Sequence, residues 1–230
     1  GFVPARDLII WFSGDEETTG ATTENLLAQH RELLGNAEFA LNSDAGGGNL
    51  DVNGKAVTYA IQAAEKTYAT WEITVRNPGG HSSRPREDNA IYDLAAAIKN
   101  IQGFKFPVQY SDMTRNYFKV TGEQLGGELG AAMLAFASDP TAEAAAERLS
   151  RESSYVGTTR TTCVVTMLKA GHAENALPQS ATATVNCRIF PGTPVSEIEA
   201  TLKQVVANEA VEFKQTYEAV ESPISELRED

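Results

Sequence analysis

Hydrophobic and polar positions divide the chain into two stretches with different rhythms. The first opens on a continuous apolar run, Leu8-Ile9-Ile10-Trp11-Phe12. Such a run predicts a strand over 7–13 covered on both faces, as in a parallel sheet. Leu26, Leu27, Leu33 and Leu34 recur at helical spacing and predict a helix over 22–34, with Gly35 as its terminator. Phe39 to Asp44 predicts a second short strand, followed by Gly46-Gly47-Gly48. A right-handed strand–helix–strand unit brings both strand ends to one edge of the sheet.

The second stretch alternates. Ala69, Trp71, Ile73 and Val75 interleave with Thr70, Glu72, Thr74 and Arg76, which predicts a half-buried strand from about Thr67. Ile91, Leu94, Ile98 and Ile101 mark one helix face, after a loop that ends at Pro85. An Ala-rich, Gly-interrupted stretch to about Ser154 predicts short helices. Two strands follow over 159–170 and 180–190, joined by a loop that holds Asn175 and Pro178. Thr193 is the expected N-cap of a last helix, with Pro194 at its first position. Val195, Ile198, Leu202, Val205 and Val206 form the apolar face of that helix. Val211, Phe213, Gln215 and Tyr217 close with a strand. Strand, helix, strand, strand, helix, strand is the split βαβ order of a ferredoxin-like layer.

Composition narrows the classes. The chain has 230 residues and is 42% hydrophobic, ordinary for a globular protein. A net charge of -12 argues against a nucleic-acid backbone or an anionic membrane as partner. No apolar run is long enough to span a bilayer, and no signal-peptide pattern opens the chain. It begins at Gly1 rather than Met, so the true N-terminus is expected to be missing, and the compartment is left open. Cys163 and Cys187 fall in expected strands and read as two buried free thiols. His30 sits among leucines at helical spacing and reads as a packed or half-exposed helix residue. His172 reads as a loop residue.

Chemistry concentrates at the expected strand ends. Asp15-Glu16-Glu17 and Asp44 place carboxylates on one sheet edge, where ligands of open α/β sheets bind. Carboxylate oxygens there suit a divalent metal, with a spare acid available as a base on bound water. The same acids also fit a solvated turn. The shared edge favours the metal reading.

Four motifs in order resemble one family. They are Gly14-Asp15-Glu16-Glu17, Ser43-Asp44-Ala45-Gly46-Gly47, Gly79-Gly80-His81-Ser82-Ser83, and Asn175-Ala176-Leu177-Pro178 with Arg188 thirteen residues after Asn175. The family is that of the co-catalytic zinc peptidases, which include glutamate carboxypeptidases, aminoacylases and succinyl-diaminopimelate desuccinylase. The stretch 160–192 looks most like the branch of Gly-X carboxypeptidases and N-acyl-amino-acid hydrolases.

The resemblance implies an α/β fold class with a partial catalytic domain over 1–66. A ferredoxin-like α+β lid follows over 67–218, with a helical insert at about 104–155, and a segment over 219–230 returns to the catalytic domain. It implies hydrolysis of an amide bond in a small peptide or N-acyl amino acid that bears a free carboxylate. Glu16 would be the general base, and Glu17 and Asp44 ligands to different zinc ions. His81 would polarise the scissile carbonyl, in its own or a partner's site. Asn175 and Arg188 would bind substrate. The family's His-x-Asp pair and its last ligand His are not in this sequence, so the chain is expected to be an internal piece that holds zinc poorly by itself. A homodimer is implied through the lid, with the strand Ala69 to Arg76 and the helix after Pro85 as the expected edge. The rival expectation is a stand-alone ferredoxin-like oligomerisation or ligand-binding module without catalysis.

Overall fold

The computed structural model describes residues 3–44 and 47–226; Ala45 and Gly46 of the second motif lie outside them. The chain forms two compact units, Gly1–Ile61 and Gln62–Asp230.

In the first unit the expected helix is divided. Helix α1 covers Ala21–Gln29, and a 3-10 turn covers Arg31–Leu34 beyond His30, whose φ of -136° interrupts the helix. Gly35 ends the turn with a φ of 54°, a left-handed value that glycine adopts without a Cβ clash. Of the four leucines, only Leu26 is buried. The strands expected over 7–13 and 39–44 do not form. A doubly covered strand needs hydrogen-bonded neighbours, and among the described residues no strand pairs with either segment. Leu8, Ile10 and Phe12 are exposed instead. The sheet of this unit is a hairpin that the apolar pattern did not announce: β1 (Gly47–Leu50) pairs antiparallel with β2 (Ala56–Ala60). Its turn is built by Asp51, whose carboxylate accepts from the Asn53 and Lys55 amides at 2.8 and 2.9 Å, and by Gly54 at a φ of 77°. Asn53-Gly54 is the sequence signal for it.

The second unit is the ferredoxin-like layer. Strand β3 (Thr67–Arg76) leads through the short β4 (Gly80–His81) to helix α2 (Ala90–Gly103). The insert follows as α3 (Asp112–Leu125), α4 (Gly127–Ser138), α5 (Glu143–Ser150) and α6 (Ser153–Val156). Then come β5 (Thr162–Ala170), β6 (Ala176–Leu177), β7 (Ser180–Ile189), α7 (Val195–Val206) and β8 (Val211–Gln215). The four-stranded sheet has the order β5-β7-β3-β8, antiparallel throughout. Strand β3 is therefore interior, and the edges are β5 and β8. The expected edge at Ala69 to Arg76 is corrected. Alternation reports which face of a strand is buried, but strand order is a tertiary property.

The alternating residues do what their period demands. Trp71, Ile73 and Val75 of β3 and Ala183, Val185 and Ile189 of β7 point to one face. They meet Leu94, Ala97 and Ile101 of α2 and Ile198, Leu202 and Val206 of α7. The Trp71 indole N–H donates to the Glu199 carboxylate at 3.0 Å, so its polar atom is satisfied where the helix meets the sheet. Helix α7 begins at Val195, not Pro194. The Val195 amide donates to Glu221 at 2.7 Å, while the Thr193 hydroxyl accepts from Gln109 at 2.7 Å. Thr193 thus ties the insert to the sheet instead of capping the helix.

The insert has its own core of Phe118, Met133, Phe136 and Leu149. A Cβ at Gly122 would lie 2.8 Å from the Gly130 carbonyl oxygen, so glycine there permits the close crossing of α3 and α4. Buried Arg160 secures the insert to the sheet by donating to the Phe106 carbonyl at 3.2 Å and the Ser150 hydroxyl at 2.9 Å.

The cysteines also depart from expectation. Cys163 on β5 and Cys187 on β7 are directly opposite in register and form a disulfide, with Cα atoms 4.1 Å apart. The pairing depends on the register of two strands separated by a whole loop, which residue spacing does not show.

The two tryptophans separate the two units energetically. Trp71 has no exposure, whereas Trp11 is 46% exposed. Trp71→Ala is expected to destabilise the second unit by about 3–5 kcal/mol. Trp11→Ala should leave that transition unchanged within about 0.5 kcal/mol. Chemical denaturation followed by circular dichroism distinguishes the two; equal effects would contradict this core assignment.

Candidate functional site

Three of the expected acids of the first unit, Asp15, Glu16 and Glu17, fall at one turn before α1. Asp15 organises it. Its carbonyl accepts from the amides of Thr18, Thr19 and Gly20, and its carboxylate accepts from the Thr19 hydroxyl at 2.6 Å and the Thr22 amide at 3.2 Å. These hydrogen bonds, that of Thr19 first, hold the Asp15 carboxyl below its ordinary range. Asp15 therefore acts as the bracket between the turn and α1. Glu16 and Glu17 remain solvent-facing, with their oxygens uncommitted to the turn. Asp44 is exposed as well, its amide donating to the Asn42 side chain at 3.0 Å. Zinc sites take three or four protein ligands. Among the described residues no group of three or more His, Cys, Asp or Glu side chains converges. Glu17 and Asp44 do not by themselves meet that requirement.

In the second unit the structure brings His81 and Asn175 together. The two-stranded ladder of β4 and β6 pairs Gly80 with Leu177 and His81 with Ala176. The Ser82 amide donates to the Asn175 carbonyl at 2.9 Å. Both side chains are exposed at the tip where β3 ends and β7 begins. Gly79 makes the turn possible twice over. Its φ is 76°, and a Cβ would come within 2.7 Å of the Gln179 side chain. The Ser83 amide donates to His81 Nδ1 at 3.2 Å. A backbone N–H can only donate, so the proton of the neutral imidazole resides on Nε2, the nitrogen left as a donor on this exposed side chain.

Arg188 lies elsewhere. It pairs with Tyr68 across β3 and β7, whereas the His81 tip follows the Arg76–Ser180 pair. Eight residues at about 3.4 Å each separate the two ends by roughly 27 Å. The guanidinium lies 4.4 Å over the Tyr68 ring, a cation–π contact that leaves its N–H edges free. His172 is exposed in the loop before Asn175.

A clamp around the His81 loop escaped the sequence reading. Arg86 donates from Nε and Nη2 to the two oxygens of Asp88, both at 2.8 Å. The Asn77 side chain donates to Asp88 at 2.9 Å, and its carbonyl accepts from the Gly79 amide at 3.0 Å. The two ends of the loop are thereby joined. Arg-x-Asp at this spacing was the available signal, but only the folded loop makes the pair bidentate.

The clamp has a pH signature. The Arg86 hydrogen bonds, then that of Asn77, hold the Asp88 carboxyl down to about 2. A depressed carboxyl contributes order above its unfolded value and loses it as the pH falls through the folded one. The loop is therefore expected to keep its full order from neutral pH down to about 4 and to lose it as the pH falls through about 2. Asp88→Ala should speed amide exchange at 79–83 at neutral pH without moving the sheet. Carbon-detected titration of Asp88 checks the first point; a midpoint at the ordinary value near 4 would contradict the clamp.

Comparison with known proteins follows the same division. Residues 63–214 match the peptidase dimerisation domain of the M20 family. Over 219 residues the chain is 31% identical to the human N-fatty-acyl-amino acid synthase/hydrolase PM20D1, covering 92% of this chain and 42% of that protein. It is 25% identical to carboxypeptidase S of Saccharomyces cerevisiae, covering 86% of this chain and 36% of that one. The chain thus spans about two fifths of the length of the curated relatives it matches. A solved M20 family metallo-carboxypeptidase from Sulfolobus solfataricus aligns over 74% of this chain and 46% of its own, with 19% identity and a TM-score of 0.45. On this match over most of the chain, the chain belongs to the M20 peptidase family.

Proposed function

We propose that this chain is the lid and part of the catalytic face of an amidohydrolase that cleaves a small peptide or N-acyl amino acid with a free carboxylate. The observation that carries this is the split of the candidate residues between the two ends of one sheet. His81 and Asn175 stand at one end and Arg188 at the other, too far apart for one small substrate to bridge within a protomer.

A two-fold assembly removes the mismatch. Strand β5 is an edge, and Val164, Met167 and Leu168 on it are 56%, 65% and 64% exposed. Antiparallel pairing of β5 with its copy sets the Ala170 end of one strand beside the Thr162 end of the other. The His81 tip of one protomer then approaches the Arg188 end of its partner. Apolar edges of this kind favour such pairing. Helix α2 packs beside the same edge and carries exposed Ile91 and Tyr92.

In this reading Glu16 takes a proton from the attacking water and returns it to the leaving nitrogen. The Nε2–H of His81 meets the oxygen that gains charge as the carbonyl carbon becomes tetrahedral, a donor worth about 3 kcal/mol. Arg188 receives the carboxylate through two parallel hydrogen bonds. Asn175 donates beside His81. Zinc is the family's expected metal. The ligands described here are too few to hold it, so its remaining ligands would come from the length of the relatives that this chain does not span. The same length would cover the exposed run Leu8–Phe12.

Two outcomes are expected in the full-length protein. Glu16→Gln should retain bound metal and lose at least about a hundredfold in kcat; near-native turnover would remove Glu16 from the mechanism. Replacing Val164 and Met167 by Lys should yield monomers in sedimentation and abolish turnover. Active monomers would reject the shared site. Folded dimers without bound metal or amidase activity would favour a purely structural oligomerisation module.

A further inference from the structure

The Arg188 end of the sheet holds a second cation. Lys66 lies one residue before β3 and two before Tyr68, so an extended chain keeps it on the face that carries Tyr68 and Arg188. Its amine packs over Gly157: a Cβ at that position would lie 2.0 Å from Lys66 Nζ. Gly157 has an ordinary φ of -73°, so its backbone does not call for glycine. What the missing side chain provides is room for the lysine.

Among the described residues no carboxylate forms an ion pair with Lys66 or Arg188. Burial, and then the neighbouring Arg188, lower the Lys66 ammonium from its ordinary value. Two like charges are thus held within each other's field on a partly desolvated surface. Tyr68 stacks on Tyr217 with centroids 5.7 Å apart, and the Tyr217 hydroxyl donates to the Tyr68 carbonyl at 3.1 Å. Thr162 on β5 stands opposite Arg188 on the other side. Arg188 over the Tyr68 ring and Lys66 over Gly157 form a site that one carboxylate leaves half neutralised.

We propose that Lys66 is a second binding residue of the anion subsite headed by Arg188, and that this subsite takes a dicarboxylate: an amino-acid portion with a side-chain carboxylate beside its α-carboxylate. The proposal rests on the reading of Arg188 as the carboxylate-binding residue. Arg188 engages one carboxylate bidentately in the plane of its guanidinium, and Lys66 reaches the other as a point charge. Monocarboxylates bind through Arg188 alone.

The test uses the 230-residue chain with sodium succinate and sodium acetate as probes, at constant ionic strength, followed by the amide resonances of Tyr68, Thr162 and Arg188. Succinate should bind roughly tenfold more tightly than acetate, the scale of one charge-assisted hydrogen bond. Lys66→Met and Lys66→Gln, each with an otherwise native amide spectrum, should bring succinate down to the affinity of acetate. Gly157→Val keeps both charges but displaces the amine, and should have the same effect in weaker form. An unchanged preference for succinate in the Lys66 variants, or equal binding of the two probes to the native chain, would overturn the proposal. If Arg188→Ala abolishes binding while the Lys66 variants change nothing, the carboxylate role of Arg188 survives and the second cation does not. If Arg188→Ala also changes nothing, both readings fall.

Discussion

The ten-residue antiparallel pairing of β3 with β7, from Thr67 opposite Ile189 to Arg76 opposite Ser180, is the constraint on which the rest depends. With a period of two, one register fixes two surfaces at once. The inner surface gathers Trp71, Ile73, Val75, Ala183, Val185 and Ile189 beneath α2 and α7. The outer surface sets Arg188 beside Tyr68 at one end and starts the His81 and Asn175 loops at the other. A slip of one residue would empty the core and turn Arg188 inward. The same ladder that stabilises the layer therefore sets the spacing of its candidate site.

That spacing gives the ferredoxin-like unit a functional meaning. A rigid sheet cannot bend its two ends toward a single small molecule, so residues at both ends serve one substrate only if a second copy reverses the direction. In the proposed dimer, antiparallel pairing of the edge strand β5 with its copy would supply that reversal. The glycine turn at Gly79, the Arg86–Asp88 clamp and the Ser83 amide then hold His81 Nδ1 as acceptor and Nε2 as donor. Each of these contacts is local and polar. They orient the loop without adding to the core.

The legible part of the sequence was what short-range periodicity controls. Alternation at 69–76 and the helical faces of α2 and α7 predicted those elements and, apart from the exposed Ile91, their buried sides, because each is amphipathic and single-sided. The order of strands, helices and insert predicted the ferredoxin-like layer. Properties set by tertiary register were hidden: the interior place of β3, the Cys163–Cys187 bond, the Glu221 cap at Val195 and the lysine over Gly157. In the first unit the apolar run Leu8–Phe12 misled for a different reason. Its composition suits a covered strand, but among the described residues no strand pairs with it. The hairpin at Asn53-Gly54 is signalled by its turn residues and not by the hydrophobic pattern of its strands.

The central claim is that His81 and Arg188 serve one substrate from different protomers. Full-length subunits carrying His81→Ala and subunits carrying Arg188→Ala can be mixed under conditions of verified exchange and assayed for amide hydrolysis. If the residues meet across the dimer, each heterodimer has one site with both defects and one with neither. Activity should then rise from near zero in either parent toward half the native value per heterodimer. If both residues served the same site from the same chain, every site in the mixture would lack one of them and no activity would return, which would contradict the account.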